Sequence, residues 1–178
     1  MKIIETERLI LRTWESEDAE ALFNINQDTK LVEWLGNSMT MEQVKNFIVA
    51  KNNQAEKYGY TLWATELKEA GELIGFIGLN YISWEAPFTP AVEIGWRLGS
   101  QYWRKGYATE GAKAALDFGF NKIGLEEIVS FTVPANNRSR KVMEKIGMKR
   151  DFNGDFTHTK LPTDHPLSKH VLYRKQKL

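Results

Sequence analysis

Hydrophobic and polar positions change period along this chain, and each change marks an element. Residues 8–12, Arg-Leu-Ile-Leu-Arg, alternate loosely and read as an opening strand. Ser16 before Glu17 and Asp18 reads as a helix N-cap followed by acids in the first turn. Ala19, Leu22, Phe23 and Ile25 give that helix one apolar face up to Gln27. Asn37-Ser38 interrupts the chain. Thr40 with Gln43 three residues on matches a capping box. Val44, Phe47 and Ile48 then predict a second helix that frays before Gly59.

From Tyr60 the period shortens to that of strands. Residues 60–67 are rich in β-formers, and 68–71 make a turn. Residues 73–79 are apolar on both faces, as expected for a central strand. Residues 86–90 read as a loop. Val92, Ile94, Trp96 and Leu98 then alternate with Glu93, Gly95 and Arg97. The middle of the chain is therefore expected to be a three-stranded meander. A donor-rich loop, 99–106, leads into a helix that runs to about Ile123. Its Ala108, Ala112, Ala115 and Gly119 form a small-residue stripe, which lets a helix lie close to a sheet. Gly124 ends it. Residues 128–133 predict a β-branched strand closed by Pro134. Asn136 opens a further helix with Val142 and Ile146 inward and Gly147 as its stop. Residues 151–166 are polar and loop-like, and 170–174 suit a final strand.

Composition narrows the function classes. A chain of 178 residues fits one domain, 1–178, and 42% hydrophobic with 26% charged residues is a globular composition. Lys and Arg number 24 against 23 Asp and Glu, which leaves no electrostatic footprint for duplex nucleic acid or an anionic membrane. The absence of cysteine excludes disulfides, thiolate zinc sites and cysteine nucleophiles. No apolar run approaches a membrane span, and residues 1–12 carry Glu5 and Glu7 in place of a signal-peptide core. The expectation is a cytoplasmic protein with neither nucleic-acid nor membrane partners, its oligomeric state left open.

Residues 91–120 carry the main chemical signal. A strand runs into Arg104, Lys105 and Gly106 and then into a helix start, where free backbone N–H groups and the positive helix end favour a phosphate. Gly106 permits close backbone approach, and Ala108 keeps the next turn small. An ordinary strand-to-helix turn with solvated basic residues accounts for the same letters, and on geometry alone both readings stand. The spacing does exclude two alternatives. The loop lacks Gly-x4-Gly-Lys-Ser/Thr, and Gly106 to Gly111 has the wrong spacing for a Rossmann fingerprint. A nucleotide-binding oxidoreductase or kinase fails on those grounds.

The segment Trp103-Arg-Lys-Gly-Tyr-Ala-Thr-Glu110 closely resembles the pyrophosphate loop of GNAT acetyltransferases, whose pattern is Gln/Arg-x-x-Gly-x-Gly/Ala. Gly106 and Ala108 match it, while Trp103 stands where Gln or Arg is usual. That Trp is similar to the branch related to ribosomal-protein α-amino acetyltransferases, often called RimJ/RimL-like. Residues 5–12 look like that branch's opening, and 92–96 like its fourth strand. Asn136-Asn-Arg-Ser139 with 142–148 looks like its fourth helix. The resemblance implies an α/β (α+β) GNAT fold, a mixed six- to seven-stranded sheet with helices on both faces. The fourth and fifth strands would splay apart around acetyl-CoA. Backbone groups of Trp96, Arg97 and Leu98 would face the pantetheine amides. The N–H groups of Arg104, Lys105, Gly106, Tyr107, Ala108 and Thr109 would take the pyrophosphate. Asn136 would contact pantetheine while capping its helix.

The implied reaction is direct attack of an amine on the acetyl thioester. It needs a deprotonated amine, a stabilised oxyanion and a protonated thiolate. A backbone N–H near 94–96 is the expected oxyanion donor. Many family members use a helix tyrosine as the acid; Met143 stands there in this chain and cannot donate. Ser139, one turn earlier, is the candidate to assist the sulfur, and a serine bonding its own helix's first turn is the alternative. Glu93 is the leading base, against a structural carboxylate paired with Arg97 on the same strand face. Asp155, His158, His165 and His170 form a second pool, either structural or lining the acceptor pocket. Their spacing does not suit a metal site. Trp34, Trp84 and Phe88 fall in segments where this fold places acceptor loops, although core packing is the commoner fate of such residues. The implied function is an acetyl-CoA-dependent N-acetyltransferase acting on a primary amine, at a protein N-terminus or on a small molecule, without a metal. The alternative is a non-catalytic acyl-CoA-binding or regulatory domain.

Overall fold

The alternation of 92–98 becomes one strand of a mixed eight-stranded sheet in a computed structural model that describes residues 1–159 and 161–177. The strands are β1 (Lys2–Glu5), β2 (Leu9–Arg12), β3 (Leu62–Leu67), β4 (Glu72–Ile82), β5 (Ala91–Leu98), β6 (Glu127–Thr132), β7 (Lys149–Thr157) and β8 (Lys169–Gln176). Their spatial order is β1-β2-β3-β4-β5-β6-β8-β7. Every neighbouring pair is antiparallel except β5 with β6, which is parallel. The meander expected over 60–98 is β3, β4 and β5.

Helices cover both faces. On one face lie α1 (Asp18–Asn26) and α3 (Met41–Tyr58), whose Leu22, Val44 and Ile48 pack with Trp14, Leu62, Ala64 and Phe76. On the other lie α4 (Tyr107–Phe118) and α5 (Asn137–Lys145). There Ala112, Ala115, Leu116 and Met143 join Ile77, Leu79, Ile94 and Ile128 in the main core. The small-residue stripe does what its spacing implied. Ala112 and Ala115 are fully buried, and a Cβ on Gly111 would stand 2.5 Å from Ile77 Cδ1. A further helix, α2 (Thr29–Leu35), bridges α1 and α3.

Local chemistry sets several ends as read. Thr40 and Gln43 make both bonds of the capping box, at 3.2 and 2.8 Å. Gly59 and Gly124 close their helices in the left-handed region. The last five residues before Gly124 wind as a π-helical turn.

Other readings are corrected. Ser16 is not the N-cap of α1. That position is Glu17, without a side-chain cap, and the Ser16 hydroxyl donates to the Glu17 carboxylate. The first turn is held by Asp18, which accepts the Glu15 N–H and receives both ends of the Arg12 guanidinium at 2.8 Å. The first part of the loop-like stretch 151–166, up to Thr157, belongs to strand β7, whose Asp151 and Asp155 are accommodated because the strand lies at the sheet edge. Asp151 there pairs with Arg174 of β8, and a register shift precedes Phe156. Lys160, in the same stretch, lies outside the described residues. The remaining additional strand, β1, and the seven-residue α2 carried too few periodic positions to be read.

Candidate active site

Strands β5 and β6 meet at one register point, Glu93 opposite Val129. Just beyond it the buried Ser130 hydroxyl donates to the Ile94 carbonyl at 2.9 Å. No further ladder pair joins the two strands among the described residues. Past that point a cleft of about 290 Å³ opens. Trp96, Arg97 and Leu98 form one wall; Asn136, Ser139 and Val142 of α5 form the other; Leu31, Trp34 and Leu35 of α2 close it.

The loop after β5 is shaped for close approach to an anion. Arg104 has φ 63° and Gly106 φ 83°, so the backbone turns sharply twice before α4 begins. The first N–H groups of α4 have no acceptor within their helix and face an electropositive end. Arg104, Gly106, Tyr107, Ala108 and Thr109 all line the cleft. So do Arg97, Arg138, Lys141 and Lys145, and no Asp or Glu among the described residues does. The indole N–H of Trp34, beside this space, is buried with no hydrogen-bond partner in the described structure. A long anionic ligand with amide acceptors fits such a lining.

Distant residues brace the loop. Arg8 donates to the Lys105 carbonyl at 3.0 Å, pairs with Glu110 at 2.7 Å, and stacks 4.6 Å above the Tyr107 ring centroid. Burial works against ionising Glu110, but Thr6 and Arg8 outweigh it and hold the carboxyl below its ordinary range. The Trp103 indole donates to the Leu98 carbonyl at 2.8 Å, and the Arg138 guanidinium lies 4.0 Å above its ring. Trp103 thus ties the loop to the end of β5. Asp28 caps α2 through the Lys30 N–H and also accepts the Ser100 N–H at 2.8 Å, which seats α2 on the same loop.

The expected site residues divide. Trp96, Arg97, Leu98, Arg104, Gly106, Tyr107, Ala108, Thr109, Asn136 and Ser139 converge on the cleft. The Asn136 side chain caps α5 by accepting the Ser139 N–H at 3.2 Å. Lys105 does not join the lining; its ammonium lies 5.8 Å from the Tyr102 ring centroid. Met143 is buried in the core. Glu93 sits at the split itself, on the sheet face that carries Asn80 and Gly95. Its Oε2 lies 3.4 Å from Asn80 Nδ2, and Asn80 Oδ1 accepts from Lys51 at 2.7 Å. The considered pairing with Arg97 is corrected. That guanidinium donates to Asn26 Oδ1 at 2.7 Å and to Met39 Sδ, and burial pushes it down to about 10.

In the second pool, Asp155 pairs with Arg150, and His165 accepts the Leu167 N–H. His158 and His170 come together, ring centroids 5.2 Å apart, beside Trp84, Phe131 and Phe156. No group of three or more His, Asp or Glu among the described residues is placed to hold a metal ion. Arg8, Asp28, Ser130 and Arg138 were missed because their partners lie far off in sequence or on backbone atoms. Only the capping potential of Asp28 before Thr29 was a local signal.

Comparison with known proteins agrees with this geometry. A family model described as an acetyltransferase (GNAT) domain matches residues 8–149. The chain is 33% identical over 150 residues to the uncharacterized N-acetyltransferase YnaD of Bacillus subtilis, covering 83% of each. A solved GNAT-family acetyltransferase from Bacillus anthracis is 30% identical, with TM-score 0.79 over 98% of both chains. RimL, the ribosomal L7/L12 α-N-protein acetyltransferase solved with coenzyme A, shares the fold alone: TM-score 0.79, 15% identity, 99% and 98% coverage. With the split strands, the cation-lined cleft and the turn at Gly106 all in place, the chain belongs to the GNAT acetyltransferase family.

Proposed function

We propose that this chain moves the acetyl group of acetyl-CoA onto a primary amine at the β5–β6 split, with Glu93 and Ser139 as its working side chains. The observation that carries the reading is the cleft itself. It opens from Trp96 onward, past the Glu93–Val129 pair that is the one β5–β6 pair among the described residues, and it ends on a helix start whose free N–H groups and neighbouring cations suit an anion.

Each residue then has a task. The N–H groups at the start of α4, with Arg104 beside them, hold the pyrophosphate. Trp96, Arg97, Leu98 and Asn136 align the pantetheine arm. Glu93 accepts the proton that the amine must lose, leaving the nitrogen lone pair free to attack the carbonyl carbon. A backbone N–H of β5 near 94–96 stabilises the resulting oxyanion. As the carbon–sulfur bond breaks, the adduct nitrogen gives its surplus proton to the departing thiolate, with the Ser139 hydroxyl supporting the sulfur, and the proton taken earlier by Glu93 leaves to solvent. The products are an N-acetyl amide and CoA. Sheet strands running from Lys2 to Gln176 support a single N-acetyltransferase domain over 1–178. A cytoplasmic location, without nucleic-acid or membrane partners, is part of the proposal and rests on the near-balanced charge. The described helices include none long and apolar enough to cross a membrane.

The test is release of free CoA from acetyl-CoA across a panel of primary amines. Amine-dependent release, matched by N-acetylated product, is the expected result. Tight acetyl-CoA binding with no release for any amine would favour the non-catalytic alternative.

A further inference from the structure

Six rings gather at one end of the sheet, outside the cleft: Trp84, Phe88, Phe131, Phe156, His158 and His170. Trp84 stacks on His158 at 4.5 Å, and Phe156 on His170 at 5.4 Å. Phe131 meets Trp84 edge-on at 5.8 Å. All but Phe156 stay half-buried, so the group keeps apolar surface at the molecule's edge and is separate from the main core. Such partly exposed rings offer faces and edges on which a ligand ring can pack.

Its register ties it to the transfer point. Glu93 and Val129 are direct partners, and parallel partners point to the same face. Phe131 follows two residues along β6 on that face, ~6.6 Å further by strand rise. Pairing carries the face onward, Phe131 opposite Leu172 and His170 opposite Phe156. The rings therefore lie on the carboxylate's side of the sheet.

Their chemistry selects among amines. None of the six is a carboxylate, and burial lowers the His170 pKa so that its ring stays neutral. A second ammonium on a polyamine or aminosugar would find no counter-charge among them. A flat apolar ring would find edges and faces to pack against. The approach from the side is also narrow. A Cβ on Gly36, just after α2, would lie 3.6 Å from Leu167 and 3.9 Å from His165, so the β7–β8 connection meets the turn that follows α2.

We propose that the acceptor is a small primary amine carrying a planar apolar ring two or three bonds from its nitrogen, the ring resting on Trp84, Phe131 and His158. This rests on the acetyl-transfer reading, with Glu93 marking where the nitrogen sits.

The experiment compares kcat/KM for 2-phenylethylamine and tryptamine with that for spermidine, kanamycin and an alanine-initiated peptide, at saturating acetyl-CoA. Ring amines are expected to lead by about tenfold or more. Trp84→Leu should raise their KM about tenfold, Trp84→Phe should restore most of it, and calorimetric affinity for acetyl-CoA should stay unchanged in both. Preference for spermidine, kanamycin or the peptide would overturn the proposal. So would absence of ring-amine turnover in protein that binds acetyl-CoA, or a KM indifferent to Trp84→Leu. Failure to bind acetyl-CoA at all would instead remove the acetyl-transfer reading, and this proposal with it.

Discussion

Gly106 carries the heaviest local demand in the site, because its φ of 83° is one that side chains with a Cβ rarely adopt. Gly106→Val is expected to weaken acetyl-CoA binding at least tenfold by calorimetry, with ligand-free melting checked separately for the strain; equal affinities would reduce the loop to a plain turn. Arg8 acts at one remove. Arg8→Ala should loosen the Lys105 carbonyl and the Tyr107 ring, and lower the same affinity several-fold with little change in kcat. Ser139→Ala should do the reverse, lowering kcat with affinity intact, because its help is given mainly in the transition state. Glu93→Gln should cost ~10²–10⁴-fold in kcat/KM near neutral pH and shift or remove the acidic limb of its profile; an unaltered profile would move the base to His158 or a neighbour in the C-terminal loop, or mean that the amine arrives already neutral. Gly106, Ala108 and Asn136 were legible in the sequence because turn and cap chemistry is local. Arg8 was not, since Glu110 and Lys105 stand about a hundred residues away and no spacing rule reaches that far. The Glu93–Arg97 pairing was a fair reading of strand period, yet it overlooked Asn26 arriving from α1.

Element by element, the readable parts are those with a period and a cap. Helix α3 has both; α4 has the period, with its glycine stop at Gly124 after the π-helical turn. Helix α2 has seven residues and one cap, but that cap positions Leu31 and Trp34 against the cleft. Asp28→Ala removes acceptors from Lys30 and Ser100 together. It is expected to cost about 1–2 kcal/mol in chemical denaturation and to weaken acetyl-CoA binding as well. Strand β7 hid behind its acids, which read as loop until the edge position explains them. Its partner β8 brings a pH dependence. Burial depresses His170, with the Ser168 carbonyl pulling the other way, so the folded protein binds that proton less readily than the unfolded chain. Neutral on both sides above ~6.5, the group costs nothing there; as pH falls through that value the unfolded state gains the proton and folding weakens. His170→Phe should therefore flatten the fall in Tm between about pH 7 and 5, and an identical slope in the variant would place His170 outside that response.

For the molecule as a whole, the meander, the close-packed α4 and the parallel step into β6 set the architecture; the first two had a pattern in the letters, while the mixed sheet came only from the family resemblance. What the letters withheld was convergence. Ser130 locks β6 to β5 at Ile94, so the strands part beyond that level. Six rings from the β4–β5 connection, β6, the β7 end and β8 meet at one edge, though no two of those segments share a periodic signal. The central claim is that the cleft opened by this parting is an acetyl-CoA site. Its most direct measurement is thermal melting of the protein with acetyl-CoA, NAD or ATP, each at millimolar concentration. Ligand at a hundred times its Kd adds ~2.7 kcal/mol, a rise of roughly 5–10 °C for a chain of this size. The account predicts that rise with acetyl-CoA and none of comparable size with NAD or ATP. A flat response to acetyl-CoA in well-folded protein, or an equal response to all three, would contradict it.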